Sequence, residues 1–252
     1  MNILLTNDDG ILAPGLLALH ERLRREHQVQ VVAPEMEQSA VGHAITLVDP
    51  IRIKQISRDG HFFGYAVSGT PADCVKLAVT ELLEVKPDLV VSGINLGANV
   101  GINLLYSGTV SAATEAAVLG LPALAVSLNT FFRPDFTLAA EFAARAAGLW
   151  PELGLPPGVS LNVNVPALPR EKIKGAVWTK QCLTPFGETF ARRIDPRGNV
   201  YYWRGEDKKP GQVDGLSDYA LLAQGHITIT PIKPDLTDHI ELSRLENLNI
   251  KL

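Results

Sequence analysis

A chain of 252 residues, 46 % apolar and 20 % charged, can bury a sizeable core and has the balance of an ordinary globular protein. Its net charge of −4 argues against a nucleic-acid polymer as the main partner, because neutralising a phosphate backbone takes clustered lysine and arginine. The two cysteines, Cys74 and Cys182, stand outside any CxxC pair, which excludes a disulfide framework and a thiolate zinc site and suits a reducing cytosol.

The start, Met1 to Thr6, has no basic leader, and Glu115, Glu141 and Arg145 break the most apolar stretches. A cytoplasmic protein free of the membrane is expected. Ile3 to Thr6 is a continuous apolar run, the pattern of a strand buried on both faces. Pro14 and Gly15 open a helix with Leu16, Leu19 and Leu23 on one face. Gln28 to Val32 is a second strand ended by Pro34, and Ile45 to Ile53 reads as extended chain. Tyr65 to Ser68 is a short strand, followed by a helix with Thr70 as N-cap, Pro71 in the first position and Asp73 at the positive dipole end. Leu89 to Val91 is a further buried strand, Ser111 to Leu119 an alanine-rich helix closed by Gly120, and Ala123 to Ser127 the next strand. Phe136 to Trp150 is read as a helix and Ser160 to Val165 as a strand. Asp195 to Asn199 is turn chemistry inside a hairpin running from Arg193 to Gly205, and Tyr219 to Leu222 leads to a last strand, Ile227 to Thr230. Strand and helix alternate over the first half, which is the pattern of a parallel sheet covered by helices.

Four polar clusters stand out: the first three follow predicted parallel strands, where open α/β sheets bind ligands, and the fourth begins a helix. Asn7-Asp8-Asp9-Gly10 places two carboxylates side by side; it is either a hard-cation site or a loop with an Asx turn. Glu37 to His43 supplies a neutral oxygen, Ser39, and a histidine, His43, although such a run is also ordinary surface loop. Ser92 to Gly101 carries Asn95 and Asn99 among three glycines, a turn-rich connection with amide oxygens for metal or substrate. Tyr106 to Ser111 opens the alanine-rich helix with Ser107, Gly108 and Thr109, which suits either anion binding or a plain N-cap at Thr109 or Ser111.

Taken together, Leu4 to Ile11 with Ala13-Pro14-Gly15, Ser68 to Val75, and Ser92 to Asn95 with Gly97, Asn99, Gly101 and Tyr106 to Val110 resemble, in order, three signatures of the SurE family of survival-protein nucleotidases. The resemblance is strong from Met1 to Ser127. It implies a single Rossmann-like three-layer α/β domain with a mostly parallel sheet, a core over about residues 1–180, and a C-terminal β-hairpin and oligomerisation region over about 181–252. It also implies a hydrolase of nucleoside 5′-monophosphates, and of 3′-monophosphates as a second class, working as a homodimer or homotetramer. One divalent ion per subunit, Mg²⁺ or Mn²⁺, would be held by Asp8, Asp9, Ser39 and Asn95. Asp8, Asp9 and Asn95 would serve catalysis, and Asn7, Asn99, Ser107, Gly108 and Thr109 would bind substrate. Leu216-Ser217-Asp218 departs from the family's Gly-Thr-Asp. Two other readings stand beside this one. A covalent aspartyl-phosphatase uses aspartates one residue apart, and a nucleotide-binding regulatory module would share the fold without the chemistry.

Overall fold

The computed structural model describes residues 1–205, 210–246 and 248. The other residues of the expected C-terminal oligomerisation region, 206–209, 247 and 249–252, lie outside the described residues. The first strand, β1 (Asn2–Thr6), alternates its burial: Ile3 and Leu5 face one core and Leu4 faces another. Both faces are therefore covered, as a continuous apolar run demands. Helix α1 (Pro14–Leu23) lays Leu16, Leu19 and Leu23 on the first of these faces. It lies so close to the sheet that a Cβ on Gly15 would collide with the Ile94 carbonyl oxygen. The chain continues through β2 (Gln28–Pro34), β3 (Ile53–Arg58), β4 (His61–Val67), α2 (Pro71–Leu77) and β5 (Leu89–Leu96). Then come α3 (Gly108–Val118), β6 (Ala123–Asn129), α4 (Thr137–Leu153), β7 (Ser160–Pro166) and β8 (Ala176–Trp178). A hairpin of β9 (Phe190–Ile194) and β10 (Val200–Arg204) precedes α5 (Asp218–Ala223), β11 (Ile227–Ile232) and α6 (His239–Leu245).

Nine strands form one sheet in the order β3-β4-β2-β1-β5-β6-β7-β11-β8, and β9 pairs only with β10. The six from β4 to β7 run parallel; β3 is antiparallel to β4 and β11 to β7. Helices α1 and α4 cover one face, and α2 and α3 the other. This is the expected three-layer arrangement with a separate hairpin. After β1 the chain moves to β2 on one side and later returns to β5 on the other, so the topological switch point lies between β1 and β5.

Several boundaries differ from the sequence reading, each for a physical reason. Residues 45–52 form no strand; the strand is β3, an exposed edge whose turn to β4 is Asp59-Gly60, both at positive φ, the dihedrals of a tight hairpin turn. Strand β5 runs on to Leu96 because it keeps pairing with β6 as far as Leu128, so Ser92 to Asn95 belongs to the strand end and not to the following loop. Helix α3 starts three residues earlier than expected, at Gly108, because Ser107 is the N-cap and accepts a hydrogen bond from the Val110 N–H at 3.1 Å. In α2 the expected cap holds, with Thr70 and Asp73 forming a reciprocal capping box.

The C-terminal segment is tied to the loops at Gly101 and Cys182 through Asp218. Its fully buried carboxylate accepts from the backbone N–H groups of Gly101 at 2.9 Å, Cys182 at 2.9 Å and Tyr219 at 2.7 Å. Ser217 before it caps α5, so Ser-Asp keeps both roles despite its departure from the family pattern. Replacing Asp218 by Ala strands these buried donors and should lower unfolding free energy by about 3 kcal/mol. Denaturant melts would register the change, and an unaltered midpoint would contradict the assignment.

Candidate active site

The loop after β1 folds back on itself. Asn7 donates from its side-chain amide to the Gly10 carbonyl at 2.9 Å, and Gly10 sits at φ 99°, a conformation open chiefly to glycine. Asp8 is thereby turned inward and is buried. Its Oδ1 accepts a hydrogen bond from the Thr109 hydroxyl, and the Thr109 N–H also points at the carboxylate. The positive end of α3 is therefore directed at Asp8. Gly108 makes the approach possible, since a Cβ there would lie 2.7 Å from the Asp8 Cβ. Asp9 is half-buried beside it and accepts from the Leu96 N–H at the end of β5.

Burial raises both carboxyls above the ordinary range, and the Thr109 hydrogen bond only partly offsets this for Asp8. For Asp9 the negative charges of Asp8 and Glu37 add to desolvation and push it up to about 7. Among the described residues neither aspartate forms an ion pair with a basic side chain.

The Gln38 N–H donates to the Asp8 carbonyl at 2.7 Å, which brings Glu37 and Ser39 alongside; the Ser39 hydroxyl donates to Glu37 Oε1 at 2.6 Å. The second signature, Ser68 to Asp73, holds this long loop in place. Thr46 donates to the Asp73 carboxylate from both its N–H, at 3.1 Å, and its hydroxyl, at 2.6 Å. Thr70 donates to the Ala44 carbonyl at 2.8 Å, and Ser68 accepts from the Arg52 N–H at 2.8 Å.

Asp8, Ser39, Asn95, Asn99 and Ser107 share the wall of one cavity of about 290 Å³, with Tyr106, Phe131 and Arg204 among its other lining residues. Asp9 adjoins it, and Gly108 and Thr109 support Asp8. Asn7 lies apart from this wall, fully buried, with its Oδ1 lacking a protein partner. His43 is directed elsewhere: its Nε2 is 2.7 Å from Glu115 Oε2 on α3, and it lines a different cavity.

Sequence reasoning missed the residues that hold Asn99. The Asn164 side chain accepts from the Asn99 N–H at 2.8 Å and donates to its carbonyl at 2.9 Å, as a peptide group of a neighbouring strand would. Asn162 donates to the same carbonyl at 2.8 Å, and Asn99 donates from its amide to Ser127 Oγ at 2.9 Å. The signal was present as two asparagines at alternate positions of an otherwise apolar strand.

Asp8, Asp9, Ser39 and Asn95 offer only oxygen donors. Asn95 spends its amide hydrogens on the Gly97 carbonyl at 2.8 Å and keeps its oxygen as an acceptor. No group of three or more histidine, cysteine, aspartate or glutamate side chains that could hold a metal occurs among the described residues. Two carboxylates with neutral oxygens suit a hard cation such as Mg²⁺ or Mn²⁺ better than Zn²⁺. A buried and a half-buried acid, without a basic partner among the described residues, fit such a cation.

A doubly wound α/β domain with paired acids and a helix N-terminus at its switch point is the class that fold and site define. Residues 3–188 match the model of a family described as survival protein SurE. A protein from Syntrophobacter fumaroxidans named 5′-nucleotidase SurE is 54 % identical over 250 residues, covering 99 % of this chain and all of that one. Its namesake from Syntrophus aciditrophicus is 52 % identical, over 98 % of this chain and 94 % of that one. The crystal structure of the SurE protein from Aquifex aeolicus matches with a TM-score of 0.84 and 38 % identity, covering 98 % of this chain and 100 % of that one. The chain belongs to the SurE family.

The raised pKa of Asp9 sets a pH dependence for the metal-free protein. Between the ordinary carboxylate range and about 7 the folded state binds the Asp9 proton while the unfolded chain has released it. Unfolding free energy therefore falls as pH rises through that window. In EDTA, Asp9→Asn should melt above the parent at pH 8, with the gap closing below pH ~4. A variant less stable than the parent at pH 8 would mark Asp9 as a structural cap.

Proposed function

We propose that this chain is a divalent-metal-dependent phosphomonoesterase that hydrolyses nucleoside 5′-monophosphates, with 3′-monophosphates as a second substrate class. The observation that carries the reading is the pair of acids Asp8 and Asp9, with no basic partner among the described residues and with Asp8 facing the N-terminus of α3. The relatives named 5′-nucleotidase support the substrate class. Asp8, Asp9, Ser39 and Asn95 would hold the ion, one per subunit, whose contribution when bound is Lewis acidity and charge neutralisation at the phosphoryl group.

The chain's own residues supply the rest. Thr109 and Gly108 fix Asp8, so its carboxylate meets the reaction in one orientation. Ser107 and the Gly108 N–H, at the positive end of an 11-residue helix, receive the equatorial phosphate oxygens, where phosphoryl transfer depends on positioning and electrostatics. Asn99 contributes its side chain from a backbone clamped by Asn162 and Asn164. Water adds to phosphorus, the ester P–O bond breaks, and nucleoside and inorganic phosphate leave.

A covalent aspartyl-phosphatase uses aspartates one residue apart, whereas Asp8 and Asp9 are adjacent. A receptor for an anion gains nothing from two acids at its mouth. Phosphate release from AMP should disappear in EDTA and return with Mg²⁺ or Mn²⁺. Asp8→Asn and Asp9→Asn should each lower kcat/KM by at least about 100-fold. Full turnover by metal-stripped protein would overturn the reading.

We infer a homodimer or homotetramer from the hairpin. Every residue of β9 and β10 is exposed, including Phe190, Tyr202 and Trp203, and aromatic side chains are enriched in interfaces. Light scattering should give an oligomer that Tyr202→Asp with Trp203→Asp dissociates; a monomeric parent would count against it. Two free, buried cysteines and the lack of a membrane-crossing helix among the described residues support a cytoplasmic, membrane-free setting.

A further inference from the structure

The cavity is chemically mixed. Its wall holds Asp8, Ser39, Asn95 and Ser107 and also the aromatic side chains Phe131 and Tyr106. Phe131 is 84 % exposed and Tyr106 51 %, unusual solvation for large rings on the rim of a small cavity. Phe131 follows β6, in the stretch between Asn129 and α4. Its ring tip lies over Gly97, and a Cβ on that residue would overlap the ring. Gly97 also sits at φ 95°. Its missing side chain gives Phe131 its place.

The neighbouring ring makes the contrast. Phe132 is also exposed, but the Arg133 guanidinium covers it at 5.1 Å from the ring centroid. No ring or cation packs against Phe131 among the described residues. An uncovered aromatic ring in the wall of a cavity that also holds the helix N-cap Ser107 suits a ligand that is flat and apolar in one part and anionic in another. At about 290 Å³ the cavity lies at the small edge of the range for low-molecular-weight ligands, enough for a single nucleotide.

We propose that Phe131, with Tyr106, is the nucleobase-stacking element of this site, so that the enzyme selects nucleotides over plain sugar phosphates through ring contact. The proposal rests on the nucleotidase reading above and deepens it. Stacking uses the π-face that every base has, so it admits all four bases and favours purines by their larger area.

The test is steady-state hydrolysis of AMP, UMP and ribose 5-phosphate by the parent, Phe131→Ala, Phe131→Leu and Phe131→Tyr. Phe131→Leu keeps an apolar contact over Gly97 but loses the π-face. Selectivity for AMP over ribose 5-phosphate, as the ratio of kcat/KM values, should fall about tenfold or more in Phe131→Ala and Phe131→Leu. The loss should sit in KM for AMP, be smaller for UMP, and be reversed in Phe131→Tyr. Equal losses on AMP and ribose 5-phosphate would overturn the proposal, because Phe131 would then act on the loop or the phosphate. An unchanged ratio would overturn it as well. If the parent released no phosphate from AMP while hydrolysing ribose 5-phosphate, the nucleotidase reading itself would fall.

Discussion

Asp8 and Asp9 place two carboxylates on adjacent residues at the end of a strand buried on both faces, where each loses water, Asp9 feels the charge of Asp8 and both feel that of Glu37. Without compensation such a pair destabilises the fold or takes up a proton. Much of the surrounding geometry is that compensation. The Thr109 hydroxyl and N–H, the dipole of α3 and the Leu96 N–H all direct partial positive charge at the two acids. They moderate the repulsion without removing it, since both groups remain raised. A basic side chain would have neutralised the pair and occupied the place a divalent cation would take.

Around this pair the loops are held by side chains doing what strands do elsewhere. Asp73 stands in for a backbone acceptor to Thr46, and Asn164 for a whole peptide group to Asn99. Asp218 receives three backbone N–H groups, from its own neighbour Tyr219 and from two distant stretches of chain at Gly101 and Cys182. Each brace is buried, so the loop it carries is fixed to the rigid sheet instead of being free to sample solvent. The two loops that bring Ser39 and Asn99 to the cavity are held in this way, which suits a reaction that depends on position.

Part of the cavity wall was legible because polar loops follow apolar strands, and the parallel sheet sends such loops to one rim. Asp8 and Ser39 needed only that rule, whereas Asn95 lies on the end of β5 itself and Ser107 at the start of α3. The braces were hidden, because their partners lie far away in the chain: Thr109 is 101 residues from Asp8, Asn164 is 65 from Asn99 and Asp218 is 117 from Gly101. Strand β3 was passed over for a different reason. It is an exposed edge with no buried alternation to read, although Asp59-Gly60 announced its turn. Residues 45–52 are apolar enough to suggest pairing, yet Pro50 removes a donor and Thr46 is committed to Asp73.

The two faces of the sheet divide the work. Under α1 and α4 the face is apolar from Val31 and Ala33 on β2 across to Leu161, Val163 and Val165 on β7. The opposite face is apolar only at its centre, with Leu4, Val32, Val90 and Ala125 beneath α2 and α3. Toward β7 and β11 it turns polar, with Ser160, Asn162, Asn164, Thr228 and Thr230 all buried. Three of these, Ser160, Asn162 and Thr228, leave a side-chain oxygen without a protein partner, an arrangement that sacrifices stability. The sacrifice is local and follows the site, because the asparagines of that face clamp Asn99 and an aliphatic side chain there could not. Stability then depends on the uniformly apolar face, which leaves the other free to position the loops.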